Sequence, residues 1–186
     1  APTVLVVPAN SPFKTVADLI AAEKAKPGAL TFASAGNGTS DHLSAELFWL
    51  QSGTTGLHVP YKGAAPAITD LLGGQVDAAF QNINNVLPHI NGGKLRVLAV
   101  AAPKRSPLLP NVPTLAESGV KDAEATSWQG VVAPKDLPPE VKAKIHAALT
   151  EALADPVVKQ KFAEVGFPDG HPNSPAYGHL KLPHLN

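Results

Sequence analysis

Short apolar runs alternate with amphipathic segments along roughly the first hundred residues of the chain. The β-branched run at residues 4–7 lies between two prolines and is typical of a buried strand. Between such runs, large apolar residues recur at helical spacing until proline or glycine ends the segment. The pattern predicts strands at residues 4–7, 30–33, 57–59, 76–80 and 95–101, and helices at residues 16–26, from 40, from 66 and at 85–90.

Strands separated by helices of this length predict an α/β fold, with a mostly parallel, helix-covered sheet and right-handed crossovers. The same pattern occurs at residues 73–77 and at residues 92–96: a glycine pair ends a helix, and a strand follows. In the helix that begins near residue 40, three leucines recur at helical spacing and predict an apolar face. They are Leu43, Leu47 and Leu50, with Phe48 alongside.

The second part of the chain has a different pattern. Residues 104–125 are rich in proline and predict a connection with one short helix near residues 114–118. Residues 128–133 predict a strand, and two helices opened by proline follow. From residue 168 we expect an irregular tail, because periodicity ends there. The apolar positions of the two helices are Val141, Ile145, Leu149 and Leu153, then Val158, Phe162 and Val165.

Composition and charge narrow the classes of function. Apolar residues make up 44% of the chain and charged residues 16%, so we expect a buried core and not disorder. Lys and Arg number 15, as do Asp and Glu, which disfavours a nucleic-acid binder. The absence of cysteine excludes disulfides and cysteine-based zinc sites. Neither a membrane-spanning apolar stretch nor a signal-peptide pattern is found.

The loops after the predicted strands are the candidate ligand sites, since open parallel sheets bind ligands beyond the carboxyl ends of their strands. Of these loops, residues 34–40 are the most informative. Gly36 and Gly38 let the backbone approach a ligand closely, and Thr39 and Ser40 can cap the next helix. The free N–H groups at that helix start predict an anion site. The alternative is a glycine-rich turn that binds nothing.

Two further loops offer weaker candidates. Lys62 stands between Tyr61 and Gly63, where Lys62 can neutralise a carboxylate and Tyr61 can donate to a ligand or cover it. The alternative, a solvated surface lysine, is favoured by spacing alone. Gln81 and Asn82 end a buried strand and can donate to ligand oxygens, or they serve only the pairing of the strand end.

Enzyme and metal patterns are incomplete. A nucleophile elbow needs Gly-x-Ser-x-Gly, but Phe32 stands where the first glycine belongs, two residues before Ser34. The dinucleotide fingerprint fails because Asp41 takes its last glycine position. No cofactor is therefore predicted. A small hydrolase-like enzyme using Ser34 and His42 stays open as a rival function, although His42 fits a capping or positioning role better. The tail histidines His171, His179 and His184 lack a scaffold for a metal.

Several stretches together resemble the Bug receptors, the extracytoplasmic solute-binding proteins of tripartite tricarboxylate transporters. The longest is LTFASAGNGTSDHLSAELF at residues 30–48. In the same order follow HVPYKG at 58–63, LLGGQVD at 71–77, LPHINGGKLR at 87–96, KRSP at 104–107 and VPT at 112–114. WQG at 128–130 and AP at 133–134 also fit, so the resemblance runs from about residue 4 to residue 166.

The resemblance implies a periplasmic, type II two-domain binding protein that closes on a small carboxylated solute for delivery to a membrane transporter, without catalysis. It implies that residues 1–127 are the second, ligand-binding domain and that residues 128–167 return towards the first. It also implies that backbone N–H groups, waters and hydroxyls hold the carboxylate. The loop concerned maps onto Ser34, Ala35, Gly36, Gly38, Thr39 and Ser40.

The apolar stripe of the C-terminal helices predicts a partner surface. In the family architecture the first domain would help to cover this stripe, and here we expect either the chain's own sheet or a second copy to do so. Exposed stripes of large aliphatic residues are costly in water, so one of the two must cover it. We favour a homo-oligomer through these helices, because the helices that end at glycine pairs already cover the faces of the sheet. A non-catalytic interaction module whose helices dock on another chain is therefore a third possible function.

Overall fold

A computed structural model describes residues 2–127 and 131–167. The chain divides into two compact units, Ala1–Ser127 and Trp128–Asn186. In the first unit the strands are β1 (Thr3–Pro8), β2 (Thr31–Ser34), β3 (Leu57–Pro60), β4 (Ala78–Asn82) and β5 (Leu95–Val100). Its helices are α1 (Val16–Ala25), α2 (Ser40–Ser52), α3 (Ala64–Leu72) and α4 (Ile83–Asn91).

The five strands form one mixed sheet in the order β3-β2-β4-β1-β5. β2 pairs parallel with both β3 and β4, whereas β1 pairs antiparallel with both β4 and β5. Four strands therefore run in one direction and β1 runs against them. Because α2 and α3 pack on β2 and α4 packs on β5, the predicted α/β class with a helix-covered sheet is confirmed.

The reversed strand β1 determines what meets at each edge of the sheet. Its first residue, Thr3, pairs with Asn82 at the end of β4, and Val4 pairs with Val100 at the end of β5. The start of β1 thus lies at the edge where the other four strands end, which we call the carboxyl edge. All six residues of β1 are buried, as expected of a strand with neighbours on both sides.

The core lies between α2 and the sheet. The apolar face predicted for α2 is wrong at Leu43 and Leu50, although Leu47 packs against the core. Leu43 and Leu50 are 58% and 76% exposed, while Phe48 and Trp49 are buried. Phe48 packs against Phe32 and Phe80 with ring centroids 6.4 and 5.7 Å apart. The indole of Trp49 donates to the buried Glu23 carboxylate at 2.8 Å and lies where a side chain at Gly56 would stand. These contacts of the aromatic pair, rather than leucine spacing, set the rotation of the helix.

Three other element predictions differ from the structure. β4 begins two residues later than predicted and continues through Asn82, so that α4 follows it directly. Residues 114–118 form turns rather than a helix. Thr114 and Glu117 exchange the hydrogen bonds of a capping box, but Gly119, with φ 93°, ends the turn at once. Residues 131–133 are not in a strand, and residues 128–130 of that prediction lie outside the described part.

The second unit contains α5 (Pro139–Ala154) and α6 (Pro156–Glu164). Asp155 caps α6 by accepting from the N–H groups of Val157 and Val158 at 2.7 and 3.2 Å. In α5 the side chains of Val141, Ile145 and Leu149 are each 38–41% exposed. Among the described helices of both units, none has the length and apolar character needed to cross a bilayer. The predicted irregular tail lies outside the described residues.

Candidate ligand-binding site

Three helices begin at the carboxyl edge, each of them the next element after a strand that ends there. α2 follows β2, α3 follows β3 and α4 follows β4. The N-cap residues of these helices make no side-chain capping bond in the described structure. They are Thr39, Gly63 and Asn82. By contrast, α1 follows the reversed strand at the other edge and has a complete capping box of Thr15 and Asp18. The uncapped helix starts of this unit are therefore collected at one edge.

The glycine-rich loop at residues 34–40 is closed by its own hydroxyl groups. Gly36 and Gly38 have φ angles of 140° and 75°, which favour glycine. The Thr39 hydroxyl donates to the Gly36 carbonyl at 2.7 Å. Thr39 is the N-cap residue of α2, as predicted. Its side chain does not cap the helix, because the hydroxyl closes the loop instead.

Most N–H groups of this loop already have partners. Those of Ala35, Gly36 and Gly38 donate to the Asp41 carboxylate, the Ser34 hydroxyl and Nδ1 of His42, at 3.2, 3.1 and 3.0 Å. An anion over the N–H of Gly38, as expected from the sequence, would compete with His42. The backbone N–H groups of residues 40–42 have no acceptor among the described residues. The first turn of α2, with Ser40 at its start, thus offers the available donors.

Asp41 and Gln81 form a buried pair beneath the loop. Asp41 is 3% exposed, and its Oδ2 accepts from Ala35 N and from Gln81 Nε2, the latter at 3.1 Å. Burial raises the pKa of Asp41, against the hydrogen bonds from Ala35, Ser40 and Gln81, which lower it. Gln81 is fully buried, so its amide supports the loop, while the neighbouring Asn82 is only half-buried.

Two stacked imidazoles support the loop from β3 and α2. His42 and His58 lie 3.9 Å apart with planes 12° from parallel. Nε2 of His58 lies 2.6 Å from the Ser34 hydroxyl oxygen, and Nε2 of His42 lies 3.3 Å from a Glu46 carboxylate oxygen. Burial and, secondly, the proximity of His42 lower the pKa of His58. The role of His58 was missed; a polar residue within the apolar run at 57–59 was the available signal.

The loop after β3 joins the glycine-rich loop through its backbone. The N–H groups of Tyr61 and Gly63 donate to the carbonyls of Ser34 and Ala35, both at 3.0 Å. The Tyr61 hydroxyl donates to Asp70 at 2.7 Å, a bond that raises the pKa of Tyr61 and engages the donor predicted for a ligand. Lys62 is exposed and has no ion-pair partner within the described residues. The structure thus brings residues 34–40, 61–63 and 81–82 to one edge.

The pairing of Ser34 with His58 invites comparison with a serine–histidine dyad. Ser34 is 1% exposed, and its oxygen also accepts the N–H of Gly36, so it is neither accessible nor free. His42, the base considered from the sequence, contacts Gly38 and Glu46 rather than Ser34. Within the described residues, no carboxylate bonds to His58, and no group of three metal-ligating side chains is found. The three tail histidines considered for metal lie outside those residues.

Comparison with known proteins identifies the family. The profile of the tripartite tricarboxylate transporter family receptors matches residues 1–182. The chain belongs to this receptor family. BugT of Bordetella pertussis is 41% identical over 165 residues, which cover 89% of this chain and 51% of BugT. The chain spans about half the length of the curated relatives that it matches.

Solved structures of the family share the fold. R. palustris Rpa4515 with adipate has a TM-score of 0.86 and 36% identity, and the match covers 91% of this chain and 57% of that protein. MatC from Rhodopseudomonas palustris with bound malate has a TM-score of 0.84 and 28% identity, covering 95% and 60% respectively. The receptors of this family bind solutes, are periplasmic and are not enzymes. The family and fold expected from the sequence motifs are therefore confirmed.

Proposed function

We propose that this chain captures a small carboxylate at the carboxyl edge of its sheet, for delivery to a membrane transporter from the periplasm. The observation that carries the proposal is the collection of three uncapped helix starts at this edge. A helix start carries about half a positive charge in addition to its free N–H groups. Such a start is a natural site for a carboxylate.

The charges around the edge support a carboxylate of modest total charge. Lys62 adds an exposed cation at the surface, while the buried Asp41 already places one carboxyl group near the start of α2. The helix starts of α3 and α4 then provide the second and third positive regions. The adipate and malate bound by related receptors are small carboxylates of this kind. A membrane transporter as partner follows from the family description.

Amide chemical-shift titration of the ¹⁵N-labelled chain with malate and adipate tests the proposal. We expect the largest shifts at the backbone amides of residues 40–42 and around Lys62 at low salt. The variant Lys62→Gln should weaken binding by about 1–2 kcal/mol, the value of a charged hydrogen bond. Lys94→Gln is the matched control, because Lys94 is also exposed but precedes β5 at the opposite edge. An absence of amide shifts at this edge at millimolar solute would refute the site.

The rival enzymatic function was predicted for Ser34 and His42, but His42 bonds to Gly38 and Glu46, and the histidine in contact with Ser34 is His58, at 2.6 Å. An ester hydrolase needs an accessible nucleophile and a base oriented by a third group. Burial of Ser34 and its bond from Gly36 argue against that role. We therefore interpret the contact as loop support.

A further inference from the structure

An asparagine followed by glycine occurs twice in the chain, at residues 37–38 and at residues 91–92. In such a pair the backbone nitrogen of the glycine can attack the side-chain carbonyl carbon of the asparagine, because glycine has no side chain to hinder the approach. Both pairs are exposed. They differ in the group that accepts the hydrogen bond from the glycine nitrogen.

The first pair lies in an open turn of the glycine-rich loop. The N–H of Thr39 donates to the carbonyl of Gly36 at 3.3 Å, which is long for a backbone hydrogen bond. Gly38 has φ 75°, and a Cβ at this position would meet no atom within 4 Å. The peptide between Asn37 and Gly38 therefore has room to move towards the Asn37 side chain, and water reaches both residues.

A histidine accepts the proton of the nitrogen concerned. The N–H of Gly38 donates to Nδ1 of His42 at 3.0 Å. On the other side of the ring, Nε2 lies 3.3 Å from a Glu46 carboxylate oxygen, which favours the tautomer with its proton on Nε2 and leaves Nδ1 as the acceptor. His58 stacks on this ring at 3.9 Å. Carboxylate, imidazole and nitrogen thus follow one another in the order by which a histidine activates a nucleophile.

The second pair lacks such a base. Asn91 is the last residue of α4, and the N–H of Gly92 donates to the carbonyl of Pro88 at 3.0 Å. A backbone carbonyl oxygen accepts this hydrogen bond but does not remove the proton. The same dipeptide in the same chain therefore serves as an internal reference for the first pair.

We propose that Asn37 is a site of spontaneous deamidation, promoted by His42 and Glu46. The Gly38 nitrogen forms a bond to Cγ of Asn37 while its proton passes to Nδ1 of His42. The bond from Cγ to the side-chain nitrogen breaks, and His42 returns the proton to that nitrogen, which leaves as ammonia. Water then opens the five-membered succinimide at either carbonyl and leaves aspartate or isoaspartate at position 37.

The product adds a negative charge to the glycine-rich loop, close in sequence to the free amides of residues 40–42. This charge opposes the capture of a carboxylate, a consequence that rests on the proposed function, whereas the modification itself does not. We expect Asn37→Asp to bind malate and adipate at least threefold more weakly than the native chain. Equal binding would overturn this consequence alone. Absence of binding by the native chain would refute the proposed function and leave the modification to be judged by mass.

Digestion and mass spectrometry after incubation of the folded full chain at neutral pH measure the conversion at each asparagine, since replacement of NH₂ by OH adds one mass unit. We expect Asn37 to convert at least tenfold faster than Asn91. In concentrated urea, where neither pair keeps its surroundings, the two rates should come within threefold of each other. Equal rates in the folded chain, or a tenfold difference that persists in urea, overturn the inference.

Two variants test the part played by the side chains. His42→Phe preserves stacking on His58 and removes the proton acceptor, and Glu46→Gln changes a carboxylate that is 55% exposed. Conversion at Asn37 should slow at least fivefold in His42→Phe and at least twofold in Glu46→Gln, with Asn91 unchanged. His89→Phe is the matched control and should leave the rate at Asn37 as in the native chain. An unchanged or faster rate in both His42→Phe and Glu46→Gln overturns the inference, because the bond to His42 would then only restrain the nitrogen.

Discussion

The stacked histidines beneath the glycine-rich loop make the fold sensitive to mild acid, and His58→Phe tests this sensitivity. A phenyl ring preserves stacking on His42 but cannot bind a proton. In the native chain, protonation of His58 would place a positive charge 3.9 Å from a second imidazole. We expect the native chain to lose more stability than His58→Phe as the pH falls below about 6.5.

The sign and size of the effect follow from the environment of His58. Burial lowers the pKa of His58 in the folded chain, so below about 6.5 the unfolded chain binds more protons. The contribution of neutral His58 to the stability of the fold is therefore present above this pH, and it is lost as the pH falls through the pKa of His58 in the folded chain. The uptake of one proton changes the free energy of unfolding by at most about 1.4 kcal/mol per pH unit. Because the side chain is half-buried and solvent screens its charge, we expect the loss of stability between pH 6.5 and 5.5 to be smaller than this limit.

Two buried carboxyl groups contribute to stability with the opposite pH dependence. The effect of His58 is therefore measured as the difference in the free energy of unfolding between the native chain and a variant. Burial raises the pKa of Asp41 and of Glu23. A carboxyl group of this kind is more stably accommodated when protonated, so its contribution grows as the pH falls. Both residues are present in every variant compared, and their contributions cancel in the difference between the native chain and His58→Phe.

Urea unfolding at pH 7.5, 6.5 and 5.5, followed by tryptophan fluorescence, measures the free energy of unfolding. His89→Phe is the matched control, because His89 lies in the last turn of α4, away from the stacked pair. Its pH dependence should follow that of the native chain. If His58→Phe also shows the native pH dependence, or becomes less stable relative to the native chain as the pH falls, the reasoning is refuted.

Three further outcomes are expected. Gly36→Val should cost about 1–3 kcal/mol in urea unfolding, since Gly36 has φ 140° and a Cβ there would lie 3.3 Å from the Tyr61 carbonyl oxygen; an unchanged midpoint would contradict this. If the exposed stripe of α5 joins two copies, sedimentation should show a dimer that Ile145→Asp dissociates and the control Val157→Asp does not; a monomeric native chain would rule out that association. Turnover of p-nitrophenyl acetate should be no faster with the native chain than with Ser34→Ala, and a rate that disappears in the variant would restore the enzymatic function.

Local patterns predicted the elements well where proline or glycine residues mark their ends. Prolines flank the apolar run of β1. The glycine pairs that end α3 and α4 predicted the starts of β4 and β5 to within two residues. They failed where a side chain formed a distant or competing contact. Leu43 and Leu50 have the spacing of a buried face, but Trp49 reaches Glu23 from α1 and turns the helix away from them. A different limit applies at residues 114–118, where Thr114 and Glu117 form the capping box of a helix start but Gly119, with φ 93°, ends the turn before a helix can form.

The sequence by itself determined the α/β class, the family motifs and the loops that follow each strand, because these depend on local periodicity and on residue order. Only the tertiary structure decided the direction of β1, since an apolar strand reads alike in either direction and its pairing is a long-range choice. That reversal brings Thr3, at the start of β1, beside Asn82 at the end of β4. The tertiary structure also decided which loop amides are free, because His42, Asp41 and Ser34 reach back to engage the others through contacts that spacing does not encode.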